Sequence, residues 1–176
     1  GWARLREDPD AVMKVSAAFG ELCIAYAGAS LAVVGLLEGA VMGGGFGLAC
    51  VTDVAIAAEN TVFRLPETSL GVLPAQIAPF LVERLGYAEA KRLAVTGSRI
   101  GAAEALQIRL VHEVYPADAL DAALARVVGD ILQCAPGALA ATKALVSRAR
   151  WEQPASLVQD AARAFSRAAR RQFAIV

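Results

Sequence analysis

The sequence contains few of the residues that build metal sites and disulfides. His112 is its single histidine, and its three cysteines, Cys23, Cys50 and Cys134, lie far apart along the chain. One histidine and no Cys-x-x-Cys pair leave almost no ligands for zinc, so no metal is predicted. An odd number of separated cysteines among apolar residues predicts free thiols and a reducing, cytoplasmic compartment.

Excess charge of either sign is also absent. Lys and Arg together number 17, as do Asp and Glu, so the chain has no global field that would attract nucleic acid or an anionic membrane. Neither is therefore predicted as a partner. A composition that is 57% hydrophobic and 19% charged excludes a disordered chain and indicates extensive buried apolar surface, some of it between subunits.

An uncharged stretch at residues 22–37 is the candidate for a membrane span. Gly28, Ser30 and Gly35 interrupt it and Glu38 ends it, whereas a bilayer span needs about 20 continuous apolar residues. Strands buried on both faces of a parallel sheet show the same apolar pattern. The stretch therefore favours a buried strand over a membrane span.

Apolar periodicity predicts one α/β domain with a largely parallel sheet, because short β-branched runs alternate with helical patterns. Asp8-Pro9-Asp10 offers capping side chains for a first helix at 11–26. The predicted strands are 31–37, 54–58, 61–63 and 110–114. Further helices are predicted at 45–52, 79–85, 88–96, 102–108 and 117–133.

Residues 37–48, LEGAVMGGGFGL, place five glycines within nine residues directly after an apolar run. A strand, a glycine turn and a helix beginning near Gly45 aim backbone amides at one point, which suits a phosphate or a developing oxyanion. The spelling matches neither a nucleotide P-loop nor the Gly-x-Gly-x-x-Gly fingerprint, and the chain has no Gly-x-Ser-x-Gly elbow. A plain packing turn remains the alternative.

A single carboxylate stands out in the next loop, residues 63–74, FRLPETSLGVLP. Glu67 lies in an apolar setting between two prolines, which favours the neutral acid and suits the carboxyl to proton transfer near neutral pH. The glycine turn and this loop each follow a strand, so we expect them to meet at one edge of the sheet. An anion-stabilising turn beside one carboxylate is what proton transfer next to a carbonyl requires.

Taken together, these stretches resemble the enoyl-CoA hydratase/isomerase, or crotonase, family. The resemblance includes residues 39–45, 53–57, 63–74, 96–97 with 102–105, and 110–114, in the family's order. It implies a crotonase-like α/β fold, a spiral of repeated ββα units followed by a helical trimerisation region. Residues 1–116 correspond to the C-terminal part of the core and 117–176 to the helical oligomerisation region. The chain is expected to be N-terminally truncated, since Gly1 falls after the family's other oxyanion amide and most of its CoA-binding loop.

The resemblance also implies a substrate and a set of site residues. The substrate is an acyl-CoA thioester, so coenzyme A belongs to the substrate and no separate cofactor is expected. The assembly is expected to be a homotrimer or a dimer of trimers. By motif position Glu67 exchanges a proton with the substrate and the Gly44 amide belongs to the oxyanion hole. The remaining matched positions, expected to line the substrate pocket, are Phe46, Gly47, Leu70, Pro74 and Ala75.

One departure from the family pattern leaves the reaction open. Gly47 stands where hydratases have their second glutamate, and a single carboxylate is typical of enoyl-CoA isomerases. Residues 70–79 nevertheless resemble hydratases of isohexenylglutaconyl-CoA and methylglutaconyl-CoA. The leading hypothesis is hydration of a branched, glutaconyl-type 2-enoyl-CoA in terpene, leucine or fatty-acid catabolism, with Gly47 leaving room for the branch or for the second carboxylate of the substrate. The alternatives are an isomerase that uses Glu67 and a non-catalytic crotonase-fold fragment that serves in assembly.

Two further positions, Arg109 and His112, are predicted to have structural roles. Arg109 stands at a helix end where relatives usually have glycine, a position that often needs positive φ. His112 and Glu113 are adjacent, and adjacent residues of a strand point to opposite faces, so a structural role is favoured over a catalytic pair.

Overall fold

The computed structural model describes residues 10–173, which divide into two compact units. The first unit contains residues 10–27 together with 33–126, and the second contains 28–32 together with 127–173. The division falls inside a helix, Leu120–Leu132. The boundary predicted after residue 116 stays a prediction.

Six strands are present in the described part of the first unit. They are β1 Val34–Leu37, β2 Ala40–Met42, β3 Val54–Ala58, β4 Val62–Arg64, β5 Arg99–Gly101 and β6 Glu113–Tyr115. β1, β3 and β6 form one parallel sheet in that order. The second sheet has the order β2-β4-β5, with β2 and β4 parallel and β5 antiparallel to β4.

Helices follow the strands closely. They are α1 Ala11–Ala27, α2 Gly44–Cys50, α3 Ala78–Thr96, α4 Ala102–Gln107 and α5 Leu120–Leu132, with short 3-10 helices at Glu67–Leu70 and Ala117–Ala119. α3 changes direction at Gly86, which has φ 74° and ψ 163°. That break explains why periodicity predicts two helices there.

The strands and helices repeat as ββα units. β1, β2 and α2 form one ββα repeat, and β3, β4 and α3 form the next. β1 pairs in parallel with β3, and β2 pairs in parallel with β4, so the two strands of the second repeat lie beside those of the first. This is the predicted spiral, and it brings the ends of β2 and β4 to one edge.

The core of the first unit lies between the sheets and helices. Phe46 on α2 and Phe63 on β4 are fully buried, with ring centroids 6.2 Å apart and ring planes at 83°. Such edge-to-face pairs add to the stabilisation from buried apolar area. α2 is therefore anchored to β4, the strand that leads into the loop containing Glu67.

The second unit contains α6 Pro136–Arg148 and α7 Pro154–Phe173. Arg148 forms ion pairs with Glu152 and with Asp160, at 2.7 Å and 2.8 Å, and so joins the two helices. Within the described residues no single helix is both long and apolar enough to cross a membrane. One bent pair, 117–132 with 136–148, reaches that length and composition only when the two are counted together.

Most predicted elements are confirmed within a few residues, and the differences have local causes. β2 and β5, three residues each, were not predicted because their residues read as parts of turns. The strand predicted at 110–114 begins only at Glu113, because the residues before it form the turn that follows α4. Asp8 and Pro9 of the predicted first cap lie outside the described residues.

Candidate active site

The first unit contains a cavity of about 140 Å³ between α1, the glycine turn and the loop after β4. Its lining is formed by Ser16, Phe19, Gly44, Glu67, Leu73, Pro74, Ala75, Gln76 and Ile77. Among these described side chains Glu67 is the single titratable one. The cavity therefore combines one carboxyl group with apolar walls and two neutral polar side chains.

The glycine turn requires its glycine at residue 43 for two reasons. Gly43 has φ 52°, a left-handed conformation that favours glycine. A Cβ atom there would also lie 3.1 Å from Oε1 of Glu67. The Gly43 amide donates to the carbonyl of Arg64 at 3.1 Å, which joins the turn to the end of β4. The absent side chain thus lets the backbone approach the carboxyl group of Glu67.

The backbone amides just after Gly43 belong to the first turn of α2. The first intrahelical bond of this region runs from the Gly47 amide to the Gly43 carbonyl, at 3.0 Å. Helix geometry leaves the amides before Gly47 without intrahelical acceptors. Gly44, the first residue of α2, is exposed and lines the cavity.

Glu67 begins a 3-10 helix that is tied to α3. The Thr68 hydroxyl donates to the Ala94 carbonyl at 3.0 Å, and the Leu70 amide donates to the Pro66 carbonyl at 3.1 Å. Within the described structure Oε2 of Glu67 is buried and has no hydrogen-bond partner. A buried polar atom without a partner is costly, and such atoms concentrate where a ligand or a reaction uses them. The loop therefore holds Glu67 with one oxygen available to a substrate.

The structure brings together four of the predicted site residues and places three elsewhere. Gly44, Glu67, Pro74 and Ala75 line the cavity. Phe46, Gly47 and Leu70 are not part of this lining. Phe46 is fully buried against Phe63, and Leu70 is 70% exposed at the end of the 3-10 helix.

Gly47 corrects one expectation directly. A Cβ atom at residue 47 would lie 2.1 Å from Cγ2 and 2.9 Å from Cβ of Ile77. The space beside Gly47 is thus filled by Ile77 and does not leave room for a substrate branch. A second glutamate at this position could not be accommodated unless Ile77 moved.

Five cavity residues were missed by the sequence reasoning, and they come from α1 and the loop before α3: Ser16, Phe19, Leu73, Gln76 and Ile77. Gln76 Nε2 donates to Ser16 Oγ at 3.2 Å, and the Phe19 ring lies 3.1 Å from the position of a Cβ atom on Gly44. Buried Gly20 and Cys23, spaced with Ser16 at helical intervals, mark the inner face of α1. That spacing is the signal that would have predicted which face of α1 meets the loop.

The other nucleophilic and titratable candidates have structural surroundings. Burial raises the pKa of the Cys50 thiol to about 12, so this group is no thiolate nucleophile. His112 Nδ1 accepts from the Ala55 amide at 2.9 Å, and loss of solvent followed by the nearby Arg84 charge lowers the pKa of the ring. Among the residues that the structure describes, no three His, Cys, Asp or Glu side chains form a group able to hold a metal ion.

Comparison with known proteins gives consistent matches. The family model described as enoyl-CoA hydratase/isomerase matches residues 5–172. A solved enoyl-CoA hydratase/isomerase from Marinobacter aquaeolei is 48% identical, has a TM-score of 0.87, and is matched over 94% of this chain and 62% of that chain. A putative enoyl-CoA hydratase from Thermobifida fusca YX, solved in complex with acetoacetyl-CoA, is 30% identical with a TM-score of 0.84, over 90% of this chain and 63% of that one.

A curated relative with a different reaction is also similar. The 3-hydroxyisobutyryl-CoA hydrolase 1 of Arabidopsis thaliana is 40% identical over 101 residues, which are 56% of this chain and 27% of that protein. The chain thus spans less than two thirds of the length of each of these proteins. The similar proteins are named as hydratase, isomerase and hydrolase, so the reaction is argued from the residues of the site and not from the similarity alone.

Proposed function

Because the chain belongs to the enoyl-CoA hydratase/isomerase family and has its crotonase-like fold, we propose that it acts on a 2-enoyl-CoA thioester, with Glu67 as the proton-transfer group. The observation that carries this proposal is the buried, unpartnered Oε2 of Glu67 in the cavity that Gly44 also lines. Coenzyme A enters as part of the substrate.

In the proposed hydration, the Gly44 amide and the Glu67 carboxyl group each have one role. The Gly44 amide donates to the thioester carbonyl oxygen and stabilises the negative charge that develops on it. Ionised Glu67 takes a proton from a water molecule whose oxygen bonds to the β carbon, and the alkene electrons move to the carbonyl oxygen as an enolate. Glu67 then delivers that proton to the α carbon. The product is a 3-hydroxyacyl thioester, and Glu67 returns to its ionised form.

An isomerase is the second candidate, and the cavity lining favours it specifically. Glu67 is the single titratable side chain among the described lining residues, and Ile77 fills the space beside residue 47. One base is sufficient to move a proton between the α and γ carbons of a 3-enoyl thioester through a dienolate. Hydration by the same base additionally requires a water molecule in the cavity.

For the acyl group we propose a branched, glutaconyl-type chain. Support comes from the sequence of residues 70–79 and from the polar cavity groups of Ser16 and Gln76. A second carboxylate on the substrate can accept hydrogen bonds from these neutral donors. The structure removes one earlier argument, since Gly47 supplies no space for the branch.

The test measures turnover by the full-length protein that contains this chain. Loss of the conjugated enoyl absorbance is followed with 3-methylglutaconyl-CoA and crotonyl-CoA, its appearance with a 3-enoyl-CoA, and CoA release with a thiol reagent. Glu67→Gln should reduce the active reaction by about 10²- to 10⁴-fold, the usual contribution of a general acid–base group. Glu89→Gln, on an exposed ion pair of α3, is the matched control and should retain activity.

Each result assigns the chemistry. Hydration of the branched thioester that depends on Glu67 supports the leading proposal, and 3-enoyl conversion without hydration supports the isomerase. CoA release as the main reaction would favour a hydrolase. Consumption of none of the thioesters by a folded protein would refute the enzyme proposals and favour the non-catalytic assembly role.

Assembly and location are parts of the same proposal. Val158 and Phe165 of α7 are 56% and 76% exposed in the single chain, which is consistent with burial in a homotrimer or a dimer of trimers. Multi-angle light scattering should give three or six chains per particle, and a monomer would contradict this. A cytoplasmic location, predicted from the cysteines, is tested by fractionation.

A further inference from the structure

One face of α3 lies along α2 from Gly47 to the C-terminal end of that helix. Ile77, at the start of α3, contacts Gly47, and Leu81, one turn later, is 1% exposed in the same core cluster. Arg84 is seven residues after Ile77 and so lies on the same helical face, two turns further on. This face reaches the cavity at one end, through Ile77, and the far end of α2 at the other.

Arg84 binds the carbonyl groups at the C-terminal end of α2. Its Nε donates to the Cys50 carbonyl at 3.2 Å, and its Nη2 donates to the Ala49 carbonyl at 3.2 Å. The Thr52 carbonyl, just after the helix, accepts a further bond from Nη2. The last carbonyls of a helix have no intrahelical donors, and here one guanidinium donates to two of them and to the Thr52 carbonyl that follows.

The guanidinium of Arg84 is partly removed from solvent where it contacts these carbonyls. The residue is half-buried, and burial lowers the pKa of the guanidinium from its ordinary value. A cation at a helix C-terminus is favoured by the helix dipole. A planar group with several fixed donors can bind three carbonyls together, whereas lysine offers one compact charge.

α2 is short enough for its two ends to move together. Its seven residues span roughly 9 Å between the first and last Cα atoms, at about 1.5 Å per residue. Displacement of the Arg84 end therefore displaces Gly44 at the cavity, while Glu67 is held separately by the contact of Thr68 with α3.

We propose that Arg84 is a positioning residue that sets the axial position of α2 and so directs the Gly44 amide at the substrate carbonyl beside Glu67. The inference rests on the proposed function, in which that amide polarises the thioester. Arg84 itself lines no part of the cavity.

The test compares Arg84→Lys with Arg92→Lys in the full-length protein. Arg92 lies on α3 as well, in exposed ion pairs with Glu89 and Glu104, and is the matched control. Arg84→Lys should lower kcat by about 10- to 100-fold with KM changed less than about threefold, since a misplacement near 1 Å can cost about 100-fold. Arg92→Lys should leave both unchanged.

A turnover-independent readout separates this inference from the proposed reaction. Butyryl-CoA labelled with ¹³C at the carbonyl has no alkene to hydrate or isomerise, and hydrogen bonding to its oxygen lowers the infrared stretching frequency. The wild type should lower that frequency, and Arg84→Lys should return it toward the value in solution. This comparison holds even if the wild type consumes no enoyl thioester, which would refute the proposed reaction alone.

Chemical rescue by free guanidinium distinguishes loss of the Arg84 contacts from misfolding of the variant. Arg84→Ala should regain part of its carbonyl shift in millimolar guanidinium, whereas Arg92→Ala should not respond. An Arg84→Lys protein with an unchanged carbonyl frequency and unchanged kcat, but a lower melting temperature, would overturn the inference. An unshifted carbonyl in the wild type would overturn it too, because no amide would then be polarising the thioester.

Discussion

The contact between Gly47 and Ile77 predicts a substitution whose sign depends on its neighbour. In wild type, the Cβ atom of Gly47→Ala would lie 2.1 Å from Cγ2 of Ile77, against about 3.5–4.0 Å for an ordinary carbon contact. Overpacking of this kind costs about 1–3 kcal/mol. Alanine regains about 1 kcal/mol over glycine inside a helix. The net loss should be about 0–2 kcal/mol of unfolding free energy, and at its upper limit the melting temperature should fall by roughly 4–8 °C.

The same substitution should be neutral or stabilising once Cγ2 is removed. In Ile77→Ala the nearest remaining atom is Cβ at 2.9 Å, which a shift of a few tenths of an ångström relieves. The added methyl group then occupies part of the space that the isoleucine vacated. Gly47→Ala should therefore gain up to about 1 kcal/mol in this background, from helix propensity. The coupling between the two positions should be about 2 kcal/mol, within the range for residues in contact.

The assay is a double-mutant cycle by urea unfolding, with Ile77→Val as the matched control. Valine keeps both branches on Cβ and removes only the terminal methyl, so the clash should persist. Ile77 is 3% exposed, and Ile77→Ala alone should cost about 2–5 kcal/mol. An equal cost of Gly47→Ala in the wild-type and Ile77→Ala backgrounds would refute the packing argument.

Three further predictions concern single residues. Arg109 has φ 62°, and Arg109→Gly should raise the unfolding free energy by up to about 1 kcal/mol by relieving that strain; a urea midpoint that falls would contradict it. The folded pKa of His112 is lowered, so its contribution to stability is present above the unfolded pKa near 6.5 and is lost as pH falls through the folded pKa. His112→Asn, whose amide oxygen can accept from Ala55, should flatten the melting temperature between pH 7 and 5, and an unchanged slope would exclude the histidine as its source. Glu67→Gln should raise stability by up to about 1 kcal/mol, because the charge is removed from a side chain whose Oε2 is buried without a partner; scanning calorimetry that shows a loss would argue that the carboxylate is satisfied.

Local spacing was sufficient for much of the fold. The apolar run before the glycines predicts β1, and 54–58 predicts β3 with the observed bounds, because strand periodicity extends over only a few residues. The position of Arg109 after α4 predicts a left-handed residue, which its φ of 62° confirms. The family motifs predict the crotonase-like fold, which the structural similarity confirms.

The sequence predicts the parts of the candidate site, and the tertiary structure decides how they meet. The turn at Gly43 and the loop at Glu67 are each short, so their residue types by themselves indicate an amide-lined turn and a carboxyl group. That the turn lies close enough for a Cβ atom at residue 43 to come within 3.1 Å of Glu67 Oε1 depends on the parallel pairing of β2 with β4, which no local pattern contains.

The sequence by itself determined which residues could supply the chemistry: one glycine turn, one carboxylate in an apolar loop, and almost no metal ligands. Tertiary packing alone decided the shape of the cavity around them. Ile77 fills the space beside Gly47, Phe19 reaches Gly44 from α1, and Arg84 holds the far end of α2. These contacts join residues about 25 to 35 positions apart in the chain. They arise because side chains from different elements fill one common volume, and the pattern of neighbouring residues in the sequence does not specify that volume.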